Sequence, residues 1–271
     1  MTDRQIKITL LGTGSSGGVP RVGGDWGACD PANPKNRRLR CSALVETWRV
    51  DEPNDKTTLL IDTSPDLREQ MLSEDVQRLD AILYTHDHAD QTHGVDDVRA
   101  LAIRNREQIK AYMDAPTHAT LFPKFRYAFE GSGGYPPIID LQTLISPYAA
   151  FSLSGPGGDI ECLPVDQEHG RIRSLGFRFG GIAYCNDLNG IPDQSLSALK
   201  GLDLLIIDAL RYTPHPSHAH LEQTLEWIEQ LRPKRAVLTN LHVDFDYQTL
   251  MDELPAGVEP AFDGWSHVQK Y

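Results

Sequence analysis

The chain has 271 residues, 40% of them apolar and 24% charged, and its 26 basic and 38 acidic side chains give a formal net charge of -12. That length accommodates a sizeable core, while no apolar stretch approaches the roughly 20 residues that a membrane-spanning helix needs. An acidic chain repels long polyanions, which disfavours a partner such as duplex DNA or tRNA, but a small phosphorylated substrate stays open because a bound cation reverses the field locally.

From the N-terminus, Met1-Thr2-Asp3-Arg4-Gln5 lacks a signal-peptide core, so cytoplasmic residence is expected. Gln5 to Leu11 alternates apolar and polar residues as a half-buried strand does. It runs into Gly12-Thr13-Gly14-Ser15-Ser16-Gly17-Gly18, which lacks the Lys-Ser/Thr ending of a phosphate-binding P-loop and reads as a structural turn near the functional site. The irregular segment from Trp26 ends in Arg37-Arg38-Leu39-Arg40. These arginines are either a solvated loop or an anion-holding rim, since guanidinium matches phosphate in bidentate geometry.

Strands are expected at Ala43–Trp48, Thr57–Asp62 and Ala81–Tyr84, with a short helix over Pro65–Leu72 entered through Ser64. Helices are expected over Val95–Glu107 and over Pro116–Phe129, the latter with Pro123 as its break. Gly131 to Pro137 has the composition of a lid or of an arm that pairs two subunits, so a homodimer is among the expectations. Further strands follow at Asp159–Val165, Leu175–Phe179, Ile182–Cys185, Leu202–Asp208 and Arg235–Thr239, with helices over Pro192–Lys200 and Leu221–Leu231. The mixture suits layered helices and sheets in one domain covering residues 1–271. The cysteines at 29, 41, 162 and 185 form no C-x-x-C pair, so they are expected reduced and outside any compact zinc knuckle.

Chemistry concentrates where strands end. The apolar run at Ala81–Tyr84 leads into Thr85-His86-Asp87-His88-Ala89-Asp90-Gln91-Thr92-His93-Gly94. Later runs lead to His169, to Asn186-Asp187, to Asp208 and to Asn240-Leu241-His242. Imidazole nitrogen and carboxylate oxygen are the donors that zinc, manganese and iron accept, so these loops together point to a metal site.

His86-x-His88-x-Asp90, followed by His169, Asp187 and His242 at successive strand ends, resembles the metallo-β-lactamase fold superfamily over nearly the whole chain. Within it the chain is similar to the branch of the phosphoribosyl cyclic phosphate phosphodiesterases and ribonuclease Z. The resemblance implies an α/β, four-layer αββα sandwich of two mixed sheets flanked by helices. It implies two divalent ions, zinc or manganese: His86, His88 and His169 around the first, Asp90, Gln91 and His242 around the second, and Asp187 bridging them. Asp90 and His218 are the implied catalytic residues, with His218 in Pro216-Ser217-His218 as general acid. Arg37, Arg38, Arg40 and His220 are the candidates for substrate binding. The family carries histidine where this chain has Gln91, and a carboxamide oxygen is the weaker, harder ligand, so the second site is expected to be weak, empty or biased toward manganese. Asp62 and Asp208 are either partners that orient ligand imidazoles or plain strand caps.

The implied activity is metal-dependent hydrolysis of a phosphodiester in a small cyclic or nucleotide-like substrate. The alternatives are a thioester or lactone hydrolase of the glyoxalase kind and a non-catalytic ligand-binding member with a degraded second site.

Overall fold

Alternation of side chains builds the centre of the molecule. In the computed structural model, which describes residues 3–271, strand β3 (Glu52–Ile61) turns Leu59 and Ile61 one way and Leu60 the other. Leu59 and Ile61 join Ile6, Ile8 and Leu10 of β1 (Arg4–Gly12) and Val45 of β2 (Ser42–Arg49). This layer meets Leu175, Phe177 and Phe179 of β9 (Ile172–Phe179), Tyr184 of β10 (Ile182–Cys185) and Ile206 of β11 (Leu204–Asp208). Each of these side chains is at most 1% exposed, and the cluster is the contact between two sheets.

The first sheet runs β14-β1-β2-β3-β4-β5-β6, with β4 at Ala81–Leu83, β5 at Ile109–Tyr112, β6 at Ile139–Leu141 and β14 at Ser266–Lys270. The second runs β13-β12-β11-β10-β9-β8-β7, with β7 at Phe151–Leu153, β8 at Ile160–His169, β12 at Arg235–Thr239 and β13 at Val258–Pro260. Leu60 and Ile82 on the outer face of the first sheet pack beneath α1 (Leu67–Ser73), α3 (Arg99–Asn105), α4 (Ala115–Lys124) and α5 (Arg126–Glu130), while the one-turn α2 (Ala89–Thr92) follows β4. Leu205, Ile207 and Leu238 of the second sheet pack beneath α6 (Asp193–Ala198), α7 (Leu221–Leu231) and α8 (Tyr247–Glu253). The architecture is therefore the expected four-layer αββα sandwich of two mixed sheets. Among the described residues no helix is long and apolar enough to cross a membrane.

Several boundaries differ from expectation. The helix expected over Val95–Glu107 is a 3-10 turn at Val95–Val98 followed by α3, which Arg106 ends in the left-handed conformation. The one expected over Pro116–Phe129 divides at Phe125, and Pro123 lies inside α4 rather than at the break. β8 continues to His169, so that histidine ends a ten-residue strand instead of following a shorter one.

Strands β3 to β6 are mutually parallel, as are β10 to β13. Their carboxyl ends consequently open on one edge of the sandwich, the position where open α/β sheets hold ligands. Three residues that follow these strands, Asp62, Asp187 and Asn240, have φ of 61°, 54° and 63°. Asp and Asn tolerate this left-handed region best among side-chain-bearing residues. Each turns the chain sharply at the edge where the histidines gather.

Candidate metal centre

His86 leaves β4 through Thr85, and a relay fixes its ring. Asp62 accepts from the Thr85 backbone N–H and from its hydroxyl, each at 2.8 Å. With its proton given to Asp62, the hydroxyl oxygen 3.0 Å from His86 Nδ1 can only accept, so Nδ1 carries the hydrogen and Nε2 is left as a lone pair. That Nε2 is buried and has no hydrogen-bond partner. His169 shows the same logic: Nδ1 lies 2.7 Å from the Ser217 carbonyl, which only accepts, and its Nε2 is then a lone pair facing His88 Nδ1 at 3.2 Å.

Potential donor atoms of His86, His88 and His169 lie within 4.8 Å of one another, as do those of His169, Asp187 and His218. Ligand atoms around a tetrahedral zinc are about 3.4 Å apart, so the first trio needs little contraction. Burial, followed by the neighbouring imidazoles, pushes the His86 pKa far down, and burial takes that of His169 to about 4. Both rings are thus neutral at physiological pH, the state in which imidazole binds metal. Burial raises the Asp187 carboxyl, with Asp90, Asp208 and Asp62 adding to it and His218 opposing. Orphaned lone pairs beside carboxyls that resist ionisation fit a divalent cation, which satisfies the first and stabilises the charge of the second.

His218 is held differently. Its Nδ1 lies 2.9 Å from Asp208 Oδ2 and 3.6 Å from Asp187 Oδ1. Burial works against its charge, yet Asp208, Asp187 and Asp90 outweigh it and raise the pKa to about 9. Asp208 also accepts from the Leu188 backbone N–H, and so orients His218 as the relay from Asp62 orients His86. Asp187 is steadied by Asn186 Nδ2 at 2.6 Å and Asn240 Nδ2 at 3.3 Å.

The remaining expected residues fall into three groups. Asp90 lies near enough to bear on the ionisation of Asp62, Asp187 and His218, and it accepts from Gln91 Nε2 at 3.2 Å. Gln91 is 1% exposed, and its Oε1 has no partner. His242 joins neither trio: its Nδ1 is 3.1 Å from Asp244 Oδ2 and its Nε2 meets the guanidinium of Arg21. His93 packs its ring edge-on against Phe125 and is exposed.

Of the three arginines offered as an anion rim or a solvated loop, burial takes Arg38 out of both. Arg38 is 1% exposed and donates to Asn36 Oδ1 and the His242 carbonyl, holding two loops together. Arg40 is locked to Asp66, its Nη2 donating at 2.7 Å, and Arg37 faces solvent 4.0 Å from Glu69. His220 directly precedes α7 and lines a cleft of about 350 Å³ with His215, Asn189 and Glu222. The His215 ring lies 5.2 Å from that of His218, tilted against it, so that cleft adjoins the centre. Sequence reasoning missed Thr85, Ser217, Asn240 and Arg21. Thr85, Ser217 and Asn240 lie inside the motifs that pointed to the site, whereas Arg21 carried no signal.

Cys29 and Cys41 are free and buried, and each donates to backbone carbonyls: Cys29 to Val243 and Phe245, Cys41 to Gly14. Among the described residues no cysteine belongs to a group that could hold a metal.

Comparison with known proteins agrees with this geometry. Residues 57–240 match the model of the beta-lactamase superfamily domain. A crystal structure of a new diphosphatase from the PhnP family is 35% identical, covers 98% of both chains and superposes with a TM-score of 0.86. The short form of human tRNase Z shares the fold at 16% identity, with a TM-score of 0.63 over 96% of this chain and 98% of that one. The octanoyltransferase of Porphyromonas gingivalis (strain ATCC BAA-308 / W83) is 31% identical over 263 residues, 96% of this chain. The chain spans about half of that relative, 51% of its length. With two thirds of its length matching the superfamily model, and with the sandwich and the histidine-rich edge described above, the chain belongs to the beta-lactamase superfamily.

Proposed function

We propose that this hydrolase cleaves phosphodiester bonds in a small substrate, with a divalent cation held by His86, His88 and His169 and with Asp187 beside it. The observation that carries the reading is the convergence of three imidazoles, His86 and His169 among them neutral and pre-oriented, in a chain 35% identical to a diphosphatase. Bound there, zinc or manganese supplies Lewis acidity toward a phosphoryl oxygen and toward water. Asp90 and Gln91 stand beside this position, and the expected second ion would take Asp90, Gln91 and His242.

The chain's own residues supply the proton chemistry. With Nδ1 bonded to Asp208, His218 keeps a proton on Nε2 at neutral pH because the surrounding carboxylates hold its pKa near 9. Departure of an alkoxide from phosphorus needs such a donor. Asp208 fixes the tautomer and aims the ring, and Ser217, through its carbonyl on His169, couples the acid's segment to the ligand set. The cleft between His215 and His220 offers room for the leaving portion of a small substrate.

The test is hydrolysis of bis(p-nitrophenyl) phosphate against an acyl thioester, each with zinc, with manganese and after chelation. Metal-dependent turnover of the diester with little on the thioester supports the reading. Preference for the thioester would favour acyl chemistry, the second reading, to which the octanoyltransferase name of the longer relative lends weight.

A further inference from the structure

Arg21 stands at an unusual place. Its backbone closes a tight turn, N–H to the Asp25 carbonyl at 2.8 Å and carbonyl to the Gly24 N–H at 3.0 Å. The turn sends its side chain back over the glycine loop. A Cβ on Gly17 would come within 3.2 Å of Arg21 Cγ, so the bare glycine leaves space for the arginine stem. The guanidinium ends between Asp25, at 3.6 Å, and His242 Nε2.

A guanidinium has donors and no acceptor, so His242 Nε2 must present its lone pair to it. Nδ1 lies 3.1 Å from Asp244 Oδ2 and 3.3 Å from the Asp244 backbone nitrogen, so Asp244 holds the other side of the ring. A carboxylate behind an imidazole that offers its far lone pair is the arrangement found around bound metal. Here that lone pair is taken by a permanent cation of the chain. Gln91 adds an independent observation: its buried carboxamide donates to Asp90 and leaves its own oxygen, a weak and hard ligand, without a partner. His242 accordingly belongs to neither trio of converging donors.

We propose that Arg21, seated on His242, supplies the second positive charge of this centre, so that the site works with one tightly held divalent ion and a guanidinium. The proposal rests on the metal-dependent reading above. One terminal nitrogen engages His242 and the other lies 3.6 Å from Asp25, beyond hydrogen-bond reach, so donors of the planar fork stay open to a phosphoryl oxygen. The side chain is 40% exposed, open to a substrate arriving from solvent. A fixed guanidinium neutralises phosphate charge without a second ion having to bind.

Titration of the metal-free protein with Mn²⁺, followed by electron paramagnetic resonance and calorimetry, reads this out without any substrate. One equivalent is expected to bind tightly and a second at least tenfold more weakly. Arg21→Ala should tighten the second by tenfold or more by freeing His242, and adding Gln91→His should bring the two affinities close together. The first affinity should stay unchanged in both. Two equivalents of like affinity in the wild type, or no response of the second to Arg21→Ala, would overturn the proposal. Failure to bind even one equivalent would overturn the metal-dependent reading, and the role of Arg21 with it.

Discussion

Thr85→Val separates orientation of a ligand from mere packing. The substitution keeps the shape of a side chain that is 0% exposed and removes one hydroxyl. That hydroxyl joins Asp62 Oδ2 at 2.8 Å to His86 Nδ1 at 3.0 Å, while the backbone bond from Thr85 N to Asp62 Oδ1 survives. Two buried polar atoms lose their partner, each at about 1–3 kcal/mol, so a loss of about 2–6 kcal/mol in folding stability is expected. The larger consequence is at the metal. With Nδ1 released, His86 loses the constraint that aims its lone pair, and removal of such an orienting partner costs about 10–100-fold in metal affinity. Urea unfolding gives the first quantity and calorimetric titration with Zn²⁺ or Mn²⁺ the second. Thr57→Val is the control: its hydroxyl donates to the Gly158 carbonyl at 2.7 Å, in the middle of β3 and away from the histidines. It should lose stability and keep its metal affinity. If Thr85→Val is destabilised yet binds metal as tightly as wild type, the relay does not orient His86.

His218→Ala should slow substrates with poor leaving groups by about 100-fold or more and p-nitrophenyl esters far less, since only the former need a proton donor; equal slowing on both would remove His218 from that role. Gly94→Ala places a Cβ 2.0 Å from the Ser64 carbonyl and 2.9 Å from Leu67 Cβ, so a stability loss of about 1–3 kcal/mol is expected in denaturant melts, with weakened metal binding from the adjoining motif. Burial raises the pKa of Asp263 to about 7, against hydrogen bonds from Leu39 and Thr13 and the charge of Arg38. The folded state therefore holds a proton that the unfolded chain has released, from about pH 4 up to about pH 7. Its contribution is fully present below that window and is lost progressively as pH rises to 7, on the order of 4 kcal/mol in all. Urea midpoints at pH 5 and pH 8 should differ less in Asp263→Asn than in wild type, and an unchanged difference would refute the assignment.

Much of the site was legible because its signals are local. A buried strand ending in His86-x-His88-x-Asp90 places donors at a sheet edge whatever surrounds it, and His169 and Asp187 follow the same rule. The central strands were legible from apolar runs or alternation. The strands β5, β6, β7 and β13 have three or four residues each, too few to display a period. β14 is polar and remains partly exposed along its length, so it reads as a tail until it pairs with β1. Arg38 was misread for a physical reason: arginine is rarely buried, and a run of three near one another resembles a solvated or anion-binding loop. Its burial depends on Asn36 and on His242, the latter 204 positions away. The contact between Arg21 and His242 spans 221 positions and leaves no trace in local pattern.

The most direct test of the metal centre is a crystal grown with Mn²⁺ or Zn²⁺ and measured on both sides of the metal's absorption edge. An anomalous peak within bonding distance of His86 Nε2, His88 Nδ1 and His169 Nε2, beside Asp187, is the predicted result. A crystal that hydrolyses the diester in place yet shows no peak there, or shows one only elsewhere on the molecule, would contradict it.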